Sequence, residues 1–228
     1  MTLNWYLVMA RINLVLLLPA GSGNDFFRNL DTKADDTLLA RTITGGVSEV
    51  TLGQAGEDHF INVASAGIDA AVAWNADRFK GIRFLPGMAA YIAGIFYTVF
   101  NYRSFPGEIR IEGVHEPVTL QGGTLLLAVA NGRTYGGGMQ IAPQGDIRRD
   151  TFEVYHVDPM GPLKILTLFP KLIQGKHETI PEVHRYEGRV VHLSSSIPFL
   201  VNVDGEIRKH QAIRFSLIPR GLHLIQPD

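Results

Sequence analysis

The sequence contains no cysteine, which excludes disulfide bonds, zinc–thiolate centres and cysteine nucleophiles. It also has no excess of charge, because 21 lysine and arginine residues are balanced by 22 aspartate and glutamate residues. With a net charge of −1 the protein has no global field that draws it onto nucleic acid, so we expect no nucleic-acid partner. The longest apolar run, Ile12–Leu18, is shorter than the roughly 20 residues that cross a bilayer.

Several catalytic signatures are missing as well. The eight histidines form no HxxxH or HExxH pair, so metal binding through imidazoles is unsupported. No Gly-x-Ser-x-Gly elbow of a serine hydrolase occurs. The glycine loop 21–25 lacks both the lysine of a Walker loop and the third glycine of a dinucleotide fingerprint.

What the chain does contain is the composition of a globular protein, with 46% hydrophobic and 19% charged residues. Apolar segments predict a buried strand over Asn13–Leu18 and helices over Ile68–Phe79, Pro86–Asn101 and Pro162–Ile173. From Gly107 onward the pattern has period two and predicts seven strands, at 108–112, 118–120, 124–130, 151–157, 189–194, 199–203 and 212–218. The order favours an α+β fold, an antiparallel β-sandwich carrying helices and preceded by the end of an α/β unit.

A glycine loop follows the first predicted strand and opens a short helix. It consists of Gly21, Ser22, Gly23, Asn24 and Asp25. Backbone N–H groups and a helix N-terminus at such a loop suit a phosphate group. Capping of the helix by one of the polar side chains explains the loop equally well.

Three further segments place glycines or carboxylates at strand ends. Gly136–Gly138 follow a buried strand and indicate either a wide connection or the wall of a cleft. Asp204 and Glu206 flank a glycine between two strands, which is typical of a hairpin turn but also suits a general base or a metal ligand. Asp69, where a strand becomes a helix, is explained as a helix N-cap unless it belongs to a site.

The order of these segments resembles the catalytic domain of the diacylglycerol kinase family and its bacterial YegS-like lipid kinases. Leu18–Phe26 resembles the P-x-G-T-x-N-D-F segment of that family. Phe60–Ala70, Asn131–Pro143 and Val203–Glu206 resemble the next three blocks, in family order. The resemblance extends from about residue 13 to residue 227, nearly the whole chain.

The resemblance implies an ATP-dependent kinase that phosphorylates a lipid hydroxyl with the help of Mg²⁺. It implies that residues 1–45 are the remnant of an α/β nucleotide-binding domain and that residues 46–228 form the β-sandwich, whose last strand returns to the first domain. A glycerolipid such as diacylglycerol or phosphatidylglycerol is the expected substrate. The expected location is cytoplasmic, with peripheral membrane contact through the apolar helix that begins near Pro86.

The resemblance also assigns roles to residues. Gly21, Ser22, Gly23, Asn24 and Asp25 are implied to line the nucleotide cleft, with Ser22 at the phosphates. Glu206 is the implied proton acceptor, with Asp204 beside it and Asp69 in the same network. A structural Mg²⁺ loop of the family falls on Asp146, Arg149 and Thr151. The arginine argues against that ion unless Asp150 shifts register to replace it.

One family element, the phosphate-binding G-G-D-G-T segment, does not occur in the sequence. Two functions therefore stay open, a shortened lipid kinase and a catalytically dead lipid-binding domain. If the nucleotide domain is shortened, the strand at Asn13–Leu18 has a free edge, and we expect a homodimer or aggregation through it.

Overall fold

The computed structural model describes residues 14–19, 24–30, 32–79 and 87–227. Within these ranges the α-helices are α1 (Leu38–Thr44), α2 (Ile68–Phe79), α3 (Gly87–Asn101) and α4 (Pro162–Ile173). The first five strands are β1 (Leu14–Leu16), β2 (Val47–Ala55), β3 (Asp58–Phe60), β4 (Val63–Gly67) and β5 (Phe105–Glu112). The remaining strands are β6 (Val118–Thr124), β7 (Leu126–Ala130), β8 (Phe152–Val157), β9 (Val183–Gly188), β10 (Val190–Val203) and β11 (Glu206–Ile225).

The sheet curls into two layers because β10 belongs to both of them. Its first half, 190–194, pairs with β5, whereas its second half, 201–203, pairs with β4. A register shift between Ser194 and Phe199 marks the bend between the halves. β6 extends the first layer beyond β5, and β7, β8 and β9 extend the second beyond β4. The predicted mixed fold with a mostly antiparallel sandwich is confirmed.

Two cores cover the two faces of β7. Leu127 and Val129 point into the core between the sheet layers, where Phe60, Phe152 and Phe215 also lie. The alternate residues of β7 point to the opposite face, which is covered by α4 and by parts of α2 and α3. Burial on both faces explains why β7 is a continuous apolar run rather than an alternating one.

The long strand β11 connects the sandwich with the N-terminal segment. It begins at the hairpin with β10, then pairs with β2, and at His223–Ile225 it pairs in parallel with β1. A third core fills this end of the molecule, formed by residues that include Val15, Phe26, Val50 and Leu224. The described N-terminal segment and the end of β11 are therefore held together by strand pairing and by apolar packing.

Two of the departures from the predicted elements concern β9 and β11. The predictions contain no strand at 183–188, where β9 pairs with β8, because its His, Arg and Glu side chains hide any alternating pattern. The predicted strand at 212–218 is only the middle of β11, which runs from Glu206 to Ile225. Arg, Lys and His residues at its start break the apolar pattern on which the prediction relied.

Candidate functional site

The hairpin between β10 and β11 turns at Asp204 and Gly205, both with positive φ, 45° and 103°. Two such residues are typical of a two-residue hairpin turn. The Asp204 carboxylate accepts hydrogen bonds from the backbone N–H groups of Ile61, Asn62 and Val63, at 2.7, 3.2 and 2.9 Å. Burial raises the pKa of Asp204, although the three N–H groups act in the opposite direction. Asp204 therefore forms the turn and also anchors the loop before β4.

Two asparagines join that loop to the segment after β7. The Asn62 carbonyl oxygen accepts the N–H groups of Asn131 and Gly132, both at 2.9 Å. The Asn131 side-chain amide donates to the Ile61 carbonyl oxygen at 2.9 Å, and that of Asn62 donates to the Thr134 carbonyl oxygen at 2.7 Å. Gly132 is required here, because a Cβ atom would lie 2.1 Å from the Asn62 Oδ1 atom.

Asp25 connects the N-terminal segment to the same place. Its Oδ2 atom accepts the N–H of Gly137 at 2.8 Å, and the Arg28 Nε atom lies 3.9 Å from its Oδ1 atom. Burial raises the pKa of Asp25, while the backbone of Gly137 and Gly138 and the charge of Arg28 lower it. The glycine run predicted as a connection or a cleft wall thus provides backbone donors to a carboxylate.

Asn29 adds a further connection between the N-terminal segment and the loops around Asn62. The Asn29 side-chain amide donates to the Asn62 Oδ1 atom at 3.3 Å, and its Oδ1 atom accepts the Arg133 N–H at 2.8 Å. Asn29 is buried, so its bond to Asn62 forms away from solvent.

Asp69 lies in the first turn of α2. Its Oδ2 atom accepts a hydrogen bond from the Ser65 hydroxyl, while its Oδ1 atom is buried without a hydrogen-bond partner. Burial raises the pKa of Asp69 to about 6. Burial and the nearby charge of Asp69 in turn raise the pKa of Tyr102, just after α3.

Gly67 explains how α2 comes to begin at this point. Its φ is 123°, and a Cβ atom there would lie 2.3 Å from the Leu125 carbonyl oxygen. That oxygen accepts the Ile68 N–H at 3.0 Å, so the start of α2 is tied to the residue that separates β6 from β7. Only glycine allows this close approach, which fixes the position of Asp69.

Glu206 is the first residue of β11, and its side chain is exposed. Among the residues that the structure describes, no hydrogen bond or ion pair engages its carboxylate. Glu206 is the cross-strand partner of Val203, which pairs with Ala64, whereas Ser65 is paired with Asn202. Since cross-strand partners share a face, Glu206 lies on the face opposite to Ser65, the partner of Asp69.

The residues of the expected Mg²⁺ loop already have protein partners. The Asp146 Oδ1 atom accepts the Arg148 N–H at 3.0 Å, and the Asp150 Oδ1 atom accepts the Thr51 hydroxyl at 3.3 Å. The Arg149 guanidinium lies 3.5 Å from the buried Glu153 carboxylate. In the described part of the chain no three acidic or histidine side chains gather into a metal site.

The structure thus brings Asp25 and Asp204 to loops and strand ends that are joined by hydrogen bonds through Asn62 and Gly137. Asp69 lies beyond the other end of β4, beside Ser65. Of the other predicted nucleotide-binding residues, Asn24 is described, with a φ of 46°. Gly21, Ser22 and Gly23 lie outside the described residues.

Sequence reasoning assigned no role to several residues that the site uses. They are Arg28, Asn29, Asn62, Asn131 and Tyr102. A signal was available for the amides, since Asn62 and Asn131 each stand directly beside a buried strand. A polar side chain at such a strand end indicates a fixed hydrogen-bond partner.

Comparisons with known proteins place this chain in a family. A family model described as the YegS C-terminal NAD kinase beta sandwich-like domain matches residues 62–226. A diacylglycerol kinase of Mycobacterium tuberculosis (strain CDC 1551 / Oshkosh) is 27% identical over 219 residues, with 92% of this chain and 68% of the relative covered. The "Probable lipid kinase YegS-like" of Chromohalobacter salexigens is 30% identical over 217 residues, with 93% of this chain and 67% of the relative covered.

Solved structures show the same fold. A diacylglycerol kinase from Bacillus anthracis str. Sterne superposes with a TM-score of 0.61 at 17% identity, over 92% of this chain and 66% of that chain. Another chain from that organism superposes with a TM-score of 0.71 at 22% identity, covering 92% of this chain and 67% of its own. The fold therefore defines the class as a NAD kinase-like β-sandwich protein. Within that class, the chain belongs to the YegS-like family of lipid kinases, as the order of its motifs predicted.

Proposed function

We propose that this protein transfers the γ-phosphate of Mg-ATP to the hydroxyl of a glycerolipid. The observation that carries the proposal is the hydrogen-bond network that joins four separated segments around partly buried carboxylates. Phosphoryl transfer depends on positioning and on fixed charges and dipoles, which such a network supplies. Membership in a lipid kinase family supports the reaction class, and the diacylglycerol kinase names of relatives support a glycerolipid.

Glu206 is proposed as the proton acceptor and Asp204 as the residue that positions its hairpin. Both oxygens of Asp204 are engaged by backbone N–H groups, so neither is available to take a proton from substrate without losing an anchor. The exposed carboxylate of Glu206, two residues further, has no such engagement in the described structure. A hydroxyl brought to β11 therefore meets a free base on a fixed hairpin.

Asp69 is proposed to orient the lipid headgroup. Its buried Oδ1 atom has no partner, and a buried acceptor without a donor is costly. A hydroxyl of the lipid supplies the missing donor when it binds. Asp69 lies on α2 and Glu206 on the hairpin, so Asp69 is proposed to contact a part of the lipid other than the hydroxyl whose proton Glu206 receives.

The nucleotide side of the site is assigned to Asn24, Asp25 and Arg28, together with the glycine loop that precedes them. The Arg28 side chain is 54% exposed and lies above Gly138, whose hypothetical Cβ would be 3.5 Å from the guanidinium carbon. An arginine in that position neutralises charge on a phosphoryl group during transfer. Mg²⁺ enters this scheme only as part of the Mg-ATP substrate.

The domain organisation is proposed to be the one that the resemblance to the diacylglycerol kinase family implies. Residues 1–45 belong to a nucleotide-binding unit and residues 46–228 to the sandwich, with β11 crossing between them. The protein works at the cytoplasmic face of a membrane, to which it attaches peripherally. Self-association is proposed through the surface around β1, where Leu16 and Leu18 are 37% and 52% exposed.

The test is transfer of labelled γ-phosphate from Mg-ATP to lipids in mixed micelles. Diacylglycerol, phosphatidylglycerol, a sphingoid base and ceramide are offered separately to the native chain and to Glu206→Gln. We expect label in a glycerolipid with the native chain, and a loss of about 100-fold or more in kcat with Glu206→Gln. Asp69→Asn is the comparison, because loss of headgroup orientation raises KM more than it lowers kcat.

Three outcomes would contradict the proposal. Equal activity of Glu206→Gln and the native chain removes Glu206 as the proton acceptor. A kcat loss confined to Asp69→Asn transfers that role to Asp69. Absence of label with every lipid, while the chain still binds lipid, replaces the kinase by a catalytically dead lipid-binding domain.

A further inference from the structure

One face of α3 is apolar and exposed. Ile92, Phe96, Tyr97 and Phe100 are 46%, 49%, 48% and 56% exposed. At 3.6 residues per turn they occupy one continuous side of the helix, whereas Ile95 and Val99 on the other side pack into the protein core. The fifteen residues of α3 include no charged side chain. A soluble domain seldom leaves so continuous a row of large apolar side chains in water.

This face is connected to the candidate site through the packing of α3. Gly94 of α3 lies against Ala76 of α2, and the Asn75 side-chain amide donates to the Thr98 hydroxyl at 3.0 Å. The same pair of helices carries Asp69 at the start of α2 and leads to Tyr102 just after α3. Tyr102 is close enough to Asp69 for the two to interact electrostatically. The exposed face therefore ends beside the carboxylate proposed to hold the lipid headgroup.

We propose that this face of α3, defined by Ile92, Phe96, Tyr97 and Phe100, inserts into the outer part of a lipid bilayer. The proposal rests on the proposed function, since a kinase acting on a glycerolipid must draw its substrate from a membrane. No helix in the described part of the chain is long and apolar enough to span a bilayer. A helix that lies in the membrane surface attaches a protein without spanning the bilayer. Phenylalanine and tyrosine are typical of helix faces that lie at the membrane–water interface.

The chemistry of the face favours a bilayer over a charged partner or a second copy. With no lysine or arginine on α3, the attraction comes from apolar area and is not weakened by salt. A bilayer also places the substrate at the end of the helix where Asp69 lies, whereas a second copy on this face covers the approach to that carboxylate. We therefore expect binding to uncharged vesicles, retained at high ionic strength.

The experiment measures co-sedimentation of the full chain with phosphatidylcholine vesicles, at low salt and at 0.5 M salt. Ile92→Ser and Ile197→Ser form a matched pair, because the two isoleucines are 46% and 47% exposed and only the first lies on α3. We expect Ile92→Ser to lower the partition coefficient severalfold and Ile197→Ser to leave it unchanged. Phe96→Ser combined with Phe100→Ser should lower it by about tenfold or more, since two half-exposed rings leave the bilayer contact.

Two measurements separate this proposal from the proposed function. Phosphorylation of a short-chain diacylglycerol dissolved below its micelle concentration reports the active site without a bilayer. If the variant with Phe96→Ser and Phe100→Ser phosphorylates this soluble lipid but no longer binds vesicles, the result supports the docking face. Vesicle binding that the α3 variants leave unchanged overturns the docking face even where the kinase is active.

Light scattering tests the alternative that a second copy of the chain, rather than a bilayer, covers this face of α3. If the native chain is a dimer that becomes a monomer in the double phenylalanine variant, and vesicle binding does not change, then α3 is a contact between copies and the proposal fails. If vesicle binding depends on α3 but no lipid is phosphorylated, the docking face stands and the kinase assignment fails. Binding that occurs only with anionic vesicles and disappears at 0.5 M salt also contradicts insertion.

Discussion

Replacing Asp204 by asparagine isolates the hydrogen bonds that anchor the β10–β11 hairpin. Asparagine tolerates the positive φ of 45° as well as aspartate does, so the backbone is not strained by the change. One side-chain oxygen remains for the Ile61 and Asn62 N–H groups, but an NH₂ group now faces the Val63 N–H, which the wild-type Oδ1 atom accepts at 2.9 Å. A lost bond that leaves a buried donor unsatisfied costs about 1–3 kcal/mol, and the remaining two bonds weaken. We expect a loss of about 2–3 kcal/mol.

Urea unfolding followed by circular dichroism measures this loss, with Glu206→Gln as the matched control. Glu206 is exposed and unengaged, so its variant should stay within about 0.5 kcal/mol of the native chain. For a chain of this size, the Asp204→Asn loss corresponds to a fall in Tm of about 5–10 °C. The reasoning is refuted if Asp204→Asn unfolds at the native urea concentration, or if both variants lose stability equally.

Three further predictions concern charge, metal and association. Burial raises the pKa of Asp69 in the folded state to about 6. The native state therefore holds this proton more tightly than the unfolded chain does. The contribution of Asp69 to stability should fall as pH rises from about 4 to about 6. The difference in unfolding free energy between the native chain and Asp69→Asn, measured across that window, should follow this fall, and a flat difference would contradict it. Since Arg149 lies beside Glu153 and the Asp146 and Asp150 carboxylates have protein partners, EDTA should leave Tm unchanged within about 1 °C, whereas a clear drop would reveal a bound ion. Leu18→Ser should reduce self-association in light scattering, while an unchanged mass would separate the β1 surface from any dimer contact.

The predictable part of the fold depends on patterns that are local in the chain. The helices over 68–79 and 162–173 were predicted with the bounds observed for α2 and α4. Their apolar residues recur at helical spacing, and proline or glycine stands at their starts. By contrast, β9 was not predicted, because its pairing with β8 comes from tertiary contacts rather than from an apolar pattern of its own.

The candidate site shows the same division. The carboxylates Asp25, Asp69 and Asp204 were singled out because each stands at a glycine turn or a strand end. Their hydrogen-bond partners could not be predicted, since the Ile61–Asp204 bond joins residues 143 positions apart and the Gly137–Asp25 bond joins residues 112 apart. The local sequence does not predict which distant N–H group donates a hydrogen bond to a given carboxylate.

The family and the class of fold follow from the sequence, because motif order, glycine turns and period-two strands are local patterns along the chain. The role of each carboxylate depends instead on tertiary contacts. Asp204 is an anchor because three N–H groups from another segment reach it, and the Oδ1 atom of Asp69 is left without a hydrogen-bond partner in its buried position. The exposed face of α3 is likewise a result of packing, since the helix is apolar all round in sequence and only its neighbours determine which side is left uncovered.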